Sequence, residues 1–150
     1  MRKTIIGFDV GLNGGIAVYN KDKEIKTYRM PVIINKNKKT YDIKKIYKII
    51  KNNKPDIAVI ERVWSIPSDG NVGAFTFGYG FGVISALCES MIKEVVYVSP
   101  QKWKKYFNLK RNKKQSVNLC NKIFNTDFKV KDDGQAEALL LIKYYMEVQT

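Results

Sequence analysis

The sequence predicts an α/β domain, with one five-stranded mixed sheet flanked by helices. Three observations carry this. Three short apolar runs within residues 4–30 are joined by glycine-rich or polar turns, the pattern of an antiparallel meander. Two further strand-like runs alternate with stretches of helical periodicity, as in a mixed sheet covered by helices. No internal repeat, linker or low-complexity tail interrupts the 150 residues, of which 45% are hydrophobic, so residues 1–150 are expected to form one domain with its own core.

The elements follow in order. Residues 4–10 read as a strand that breaks at Gly-Leu-Asn-Gly-Gly, and a second strand covers about 15–20. The polar turn Asn20-Lys21-Asp22-Lys23 leads into a third at about 24–30. A basic loop, NKNKK, is expected at 35–39. Ile43, Ile46, Tyr47 and Ile50 follow helical spacing, which predicts an amphipathic helix over 42–52, ended by Pro55. A strand is expected at 56–62, a loop at 67–70, a long helix over 71–91 and a fifth strand at 94–98. Ser99-Pro100 opens a short helix, since proline suits a first helical turn. A basic loop at 110–114 precedes a helix marked by Val117, Cys120 and Phe124, and the last helix covers about 133–147.

Charge narrows the function. Lys and Arg total 27 against 14 acids, a net charge of +13, which points to a polyanionic partner. A membrane partner is not expected, because no apolar run reads as long enough to span a bilayer. No secretory signal is read at the N-terminus, and a cytoplasmic setting is expected, in a host cell if the source is viral. Cys88 and Cys120 fall on predicted helices and read as buried, reduced thiols. The chain has no histidine, which excludes histidine base catalysis and argues against a zinc site.

Four acids stand out. Asp9 lies in TIIGFDVGLNGGIAVYN, late in an apolar run, and Glu61 ends the apolar run of DIAVIERV. Asp133 and Glu137 lie four apart in KDDGQAEALLLIKYY, on one face of a helix whose apolar remainder must pack on the sheet. An acid in a core strand is costly unless something pairs with it. Hard divalent cations prefer carboxylate oxygens, and convergent carboxylates are what a two-metal nuclease requires. Each acid alone also fits a structural role: Asp133 as a helix cap, Glu61 as a partner of Arg62 or a lysine. The combination of Asp9 before a glycine turn with Glu61 at a strand end favours a shared cation site.

At this point the chain resembles the RuvC-type Holliday-junction resolvases of the RNase H-like superfamily, in particular the small phage and viral members related to the poxvirus-type resolvases. GFDVGLNGGIAV resembles the first-strand motif and AVIERVW the second acidic strand. FTFGYGFGVISAL resembles the long helix, VSPQKWKKYF the segment with an active-site lysine, and DDGQAEALLLI the terminal acidic helix. Five such pieces in order cover nearly the whole chain. The resemblance implies an RNase H-like fold and a homodimer that resolves four-way DNA junctions by paired symmetric nicks. It implies two Mg²⁺ ions per site, with Mn²⁺ able to substitute, held by Asp9, Glu61, Asp133 and Glu137, and 5′-phosphate and 3′-hydroxyl products. The chain departs from the family in one respect. Many cellular members space the last two acids three apart, which would put the first at Gly134. Here Asp133 is preferred because a spacing of four keeps the pair on one face; the competing Asp132 lies about 100° round the helix.

Other positions follow from the same resemblance. Lys104 falls where the family has its active-site lysine, and could hold a phosphate or stabilise a transition state. Lys102 and Lys105 flank it around Trp103. Lys110, Arg111, Lys113 and Lys114 are candidate DNA contacts, with Lys114 the best match to a basic family position, although charge runs are usually solvated faces. Trp64 corresponds to a family aromatic that intrudes between bases, and reads equally well as a core residue. Gly78, Gly82 and Ala86 at spacings of four would let another helix approach, and in this family the long helix contributes to the dimer interface. Three rival readings remain: an RNase H-like nuclease for other branched DNA, RNA–DNA hybrid or structured RNA; a non-catalytic nucleic-acid-binding module; and an actin-like or sugar-kinase fold, for which the chain is too short.

Overall fold

The computed structural model describes residues 2–64 and 66–149. The strands are β1 (Ile5–Asp9), β2 (Gly15–Tyr19), β3 (Ile25–Arg29), β4 (Val32–Asn35), β5 (Lys38–Tyr41), β6 (Ile57–Glu61) and β7 (Glu94–Val98). The helices are α1 (Ile43–Asn53), α2 (Gly70–Met91), α3 (Pro100–Tyr106), α4 (Lys113–Phe124) and α5 (Asp133–Val148). Five strands form one sheet in the order β3-β2-β1-β6-β7. β1 runs antiparallel to β2 and parallel to β6, and β6 runs parallel to β7. The expected mixed sheet with an antiparallel opening meander is therefore present.

Strand periodicity sorts the core into two layers. Successive side chains of a strand point to opposite faces. Ile6 and Phe8 join Ile46, Ile50, Ile84 and Cys88 beneath α1 and α2. Ile5, Ile57 and Val59 join Trp103, Val117, Cys120, Leu139 and Ile142 on the face covered by α3, α4 and α5. By the same alternation Asp9, two residues past Gly7, and Glu61, two past Val59, point to the α5 face. A period of two thus aims both strand acids at the acidic helix before any tertiary contact is considered.

Helix α5 is held by apolar burial. Leu139, Leu140, Leu141 and Ile142 are all fully buried, each worth roughly 1.5–3 kcal/mol. Its first turn approaches the β1–β2 turn so closely that neither side has room for a side chain. A Cβ on Gly134 would collide with the Gly14 backbone, and one on Gly15 with the Gly134 backbone. Local caps set the other helices. Asp42 accepts from Lys45 N–H at the start of α1, Ser99 precedes Pro100 at the start of α3, and Asn112 accepts from Lys114 N–H at the start of α4.

Three expectations need correction. The segment at 35–39 is not a loop: β4 and β5 pair as a separate antiparallel hairpin, with Lys36 and Asn37 both at positive φ in its turn, as tight hairpins require. The supposed loop at 110–114 is partly helical, because α4 begins at Lys113. Within the protomer Gly78 and Gly82 face open space, and the close approach on α2 is at Gly80, against the Tyr41 ring. Finally, Pro67–Met91 contains an 18-residue window of mean hydropathy 1.3 and by length and composition alone is sufficient to cross a membrane. Its Phe, Val, Ile, Leu, Ala, Cys and Met residues supply that hydropathy, and the glycines and polar residues between them break up the run. In this fold α2 packs on the sheet through Ile84 and Cys88. Both cysteines are buried and free, and burial pushes their thiols up to about 12, which leaves them unreactive at neutral pH.

Candidate active site

Asp9 ends the central strand β1 opposite Gly15, and Glu61 ends the neighbouring parallel strand β6. Parallel strands that end together place their last side chains side by side. Glu137 enters from the second turn of α5. One carboxylate oxygen from each of Asp9, Glu61 and Glu137 lies within 4.8 Å of the others, close enough to share a cation. The three come from residues 9, 61 and 137, so tertiary folding alone assembles them.

Each acid is positioned by a specific partner. Glu61 is only 7% exposed, and its Oε2 accepts a 2.7 Å hydrogen bond from the indole N–H of Trp103. Glu137 Oε1 accepts from the Ser116 hydroxyl at 3.1 Å and faces Lys104 Nζ at 3.8 Å. Asp9 has no such donor among the described residues, and its carboxyl is pushed well above the usual range by burial, then by the charges of Glu61, Glu137 and Asp133, with Lys104 opposing. Burial also raises Glu61, against the Trp103 hydrogen bond, with Glu137 adding to the rise. Burial raises Glu137 against the pull of Lys104 and Ser116. Three buried carboxyls disfavouring ionisation together are what a divalent cation would relieve, and oxygen donors suit Mg²⁺ or Mn²⁺.

The two neighbouring aspartates behave differently. Asp133 begins α5, one turn before Glu137; it lines a cleft with Asp9 and pairs with Lys113 Nζ at 3.5 Å. It lies at the edge of the cluster, outside the group of three. Asp132 is engaged elsewhere: it accepts from the Lys129 backbone N–H at 2.9 Å and from Arg29 at 3.1 Å, and these contacts hold its carboxyl below the usual range. Position 134 cannot carry an acid at all, because the Gly14 backbone occupies the space. The displacement of the acid from 134 to 133 therefore has a steric setting.

The basic residues separate in the same way. Lys104 is directed at the acids and also lies 5.3 Å above the Trp103 ring. Lys102 and Lys105 are exposed and form no ion pair among the described residues. Lys113 reaches Asp133, whereas Lys110 and Lys114 are exposed away from the carboxylates. Arg111 lines a cleft shared with Glu61, Lys104 and Trp64. Trp64 is 50% exposed in that cleft and is not a core residue. Sequence reasoning missed Trp103 and Ser116 as holders of Glu61 and Glu137. Trp103 entered the sequence reading only as the residue between Lys102 and Lys104, and Ser116 carries no local signal because its partner is 21 residues away.

A five-stranded sheet of this order, with carboxylates gathered at the ends of its two central strands, is an RNase H-like fold. Similar solved structures within that class include Holliday-junction resolvases. RuvC of T. thermophilus, in complex with a Holliday junction substrate, superposes with a TM-score of 0.65 at 12% identity, covering 96% of this chain and 94% of that one. The yeast mitochondrial Holliday junction resolvase gives 0.53 at 14% identity, covering 95% and 77%. The fowlpox virus resolvase, in complex with junction DNA, gives 0.50 at 16% identity, covering 97% and 99%. No protein-family model matches the sequence, and no curated protein matches it. The likeness is one of fold: this chain has the RuvC-type fold that its five motifs resemble.

Proposed function

We propose that this protein is a divalent-metal-dependent endonuclease that resolves four-way DNA junctions by paired, symmetric nicks. The observation that carries the reading is the convergence of Asp9, Glu61 and Glu137 within 4.8 Å in a chain of net charge +13. A basic protein has little reason to bury three mutually repelling acids unless a cation joins them and a polyanion follows.

In this reading Asp9, Glu61 and Glu137 hold the cation, with Asp133 completing the set for a second ion. Bound Mg²⁺ or Mn²⁺ supplies a nucleophilic water and charge neutralisation at the phosphate. Trp103 and Ser116 fix the orientation of Glu61 and Glu137. Lys104, the cation nearest Glu137, stabilises charge on the scissile phosphate. Trp64 and Arg111 receive the branch point, and Lys113 and Lys114 meet the flanking backbone, with Lys102, Lys105 and Lys110 adding long-range attraction. The protein acts as one nuclease domain per protomer, in the cytoplasm, where Cys88 and Cys120 stay reduced.

A homodimer places one site on each of two opposed strands of a nearly two-fold junction. Helix α2 supports this, because Val72, Phe75, Phe77 and Tyr79 are exposed and Gly78 and Gly82 leave room for a facing helix.

The test is incubation with a synthetic four-way junction and Mg²⁺, beside linear duplex and RNA–DNA hybrid. Symmetric nicks confined to the junction are expected. Preferential hybrid cutting would replace this reading with an RNase H-like one, and junction binding without cleavage would leave only a binding module.

A further inference from the structure

The β4–β5 hairpin lies outside the main sheet and contributes none of the clustered carboxylates, although its Tyr41 lines the cleft that contains Asp9. Its register gives it two distinct faces. Val32 pairs with Tyr41 and Ile34 with Lys39, while Ile33 pairs with Thr40 and Asn35 with Lys38. Directly opposed residues share a face, so Val32, Ile34, Lys39 and Tyr41 lie on one side and Lys38 on the other.

The first face looks into the molecule. Tyr41 is buried, with its ring against Gly80 of α2, which seats the base of the hairpin. Val32 and Lys39 line a groove of about 610 Å³ that Lys131, Asp132 and Asp133 also line. Leu12, Asn13, Gly14, Lys113 and Asp133 line both this groove and the cleft containing Asp9, so the two are continuous. Arg29 and Lys113 in the groove are already paired with Asp132 and Asp133. Lys39 and Lys131 form no ion pair among the described residues. Ile34 shares the face of Lys39 and remains 65% exposed, leaving an apolar edge beside an uncompensated cation.

We propose that this hairpin is a DNA-binding wall, in which Lys39, with Lys131 in the same groove, holds backbone phosphates of the strand that leaves the carboxylate site. The inference rests on the nuclease reading and extends it, since it assigns an exit path for the bound strand. Charge complementarity selects the occupant: a groove lined by Lys39 and Lys131 and continuous with an acidic centre fits a chain of regularly spaced phosphates.

The experiment measures affinity for a synthetic four-way junction and for a linear duplex in metal-free buffer, over a series of salt concentrations. Each lost phosphate contact lowers the slope of log K against log salt by about one. Lys39→Gln is expected to weaken binding roughly fivefold and to lower the slope by about one, with Lys131→Gln doing the same. Lys38→Gln, on the opposite face, is expected to leave the slope unchanged. Melting temperatures of all three variants check that the fold is intact. Equal effects of Lys38→Gln and Lys39→Gln would overturn the proposal, as would an unaltered slope for Lys39→Gln. A change in sedimentation without a change in DNA affinity would overturn it too, by making the hairpin a contact between copies of the chain. Failure of the wild type to cut junctions with Mg²⁺ would sink the resolvase reading alone, since the salt slope is read without cleavage; failure to bind any DNA would sink both.

Discussion

The indole N–H of Trp103 donates to Glu61 Oε2 at 2.7 Å, with Trp103 fully buried and Glu61 nearly so. A helix on one side of the molecule thus fixes the rotamer of an acid at the end of a sheet strand. Buried ligands are commonly held by such donors, and their loss typically reduces metal affinity or activity by about 10–100-fold. Trp103→Phe keeps most of the ring volume but leaves the Glu61 oxygen without its donor, at a cost of roughly 1–3 kcal/mol. The expected outcome is a lower melting temperature and a Mg²⁺ dependence of junction cleavage shifted to higher concentration. A variant that is destabilised yet retains the wild-type Mg²⁺ dependence would reduce Trp103 to a packing residue.

The carboxyl cluster makes stability depend on pH in a direction opposite to that of a paired acid. Asp9, Glu61 and Glu137 all have raised values. An acid raised on folding binds its proton more tightly in the native state. Its contribution is present below the ordinary carboxylate range of about 4 and is lost as pH rises through the raised values. Metal-free protein should therefore melt at lower temperature on going from acid towards neutral pH, and Asp9→Asn should flatten that decline while abolishing cleavage. Thermal melts of the two proteins across pH, compared as a difference, read this directly. A parallel decline in both would show that Asp9 is not the strained group.

Mg²⁺ or Mn²⁺ should reverse the same loss. A ligand at a hundred times its dissociation constant stabilises by about 2.7 kcal/mol, about 5–10 °C for a domain of this size. The increase should be largest near neutral pH, where the acids are ionised, and absent in Asp9→Asn. An equal increase in that variant would place the ion elsewhere.

Lys104 lies 3.8 Å from Glu137 and is the cation that opposes the rise of all three buried acids. Lys104→Gln should lower kcat by about 10²–10³ if it stabilises charge in the transition state, with little change in junction affinity. Lys104→Arg should recover part of the loss. A change confined to affinity would make it an ordinary phosphate contact.

Gly134 and Gly14 meet backbone to backbone. Gly134→Ala must push α5 away from the β1–β2 turn, at roughly 1–3 kcal/mol for an overpacked site, and it moves Asp133 and Glu137 relative to Asp9. Reduced cleavage beyond what the lower stability explains is expected, checked by activity well below the melting temperature. Wild-type stability and activity in this variant would remove the steric account of why position 134 carries no acid.

Much of the fold was legible because the apolar patterns are long and unambiguous. The Ile5–Asp9, Ile57–Glu61 and Glu94–Val98 strands and the helices at 43–53, 70–91 and 133–148 lie within a residue or two of the expected bounds. The hairpin at 32–41 was missed because its residues NKNKK read as a solvated loop. Its strands have an exposed polar side, and the left-handed turn is formed by Lys36 and Asn37 without the glycine that usually marks such a turn. The span-length helix was missed for a related reason, since glycines and polar residues interrupt its apolar ones.

The sequence by itself determined the strands and helices, the excess of positive charge and the four acids worth examining, because periodicity and residue chemistry are local properties. It could not decide between Asp132 and Asp133, the exposure of Trp64, or the partners that hold Glu61 and Glu137. Only the tertiary structure settled where those groups lie, because separations between residues far apart in the chain depend on how α5 seats against the sheet, and that depth depends on bare backbone at Gly15 and Gly134.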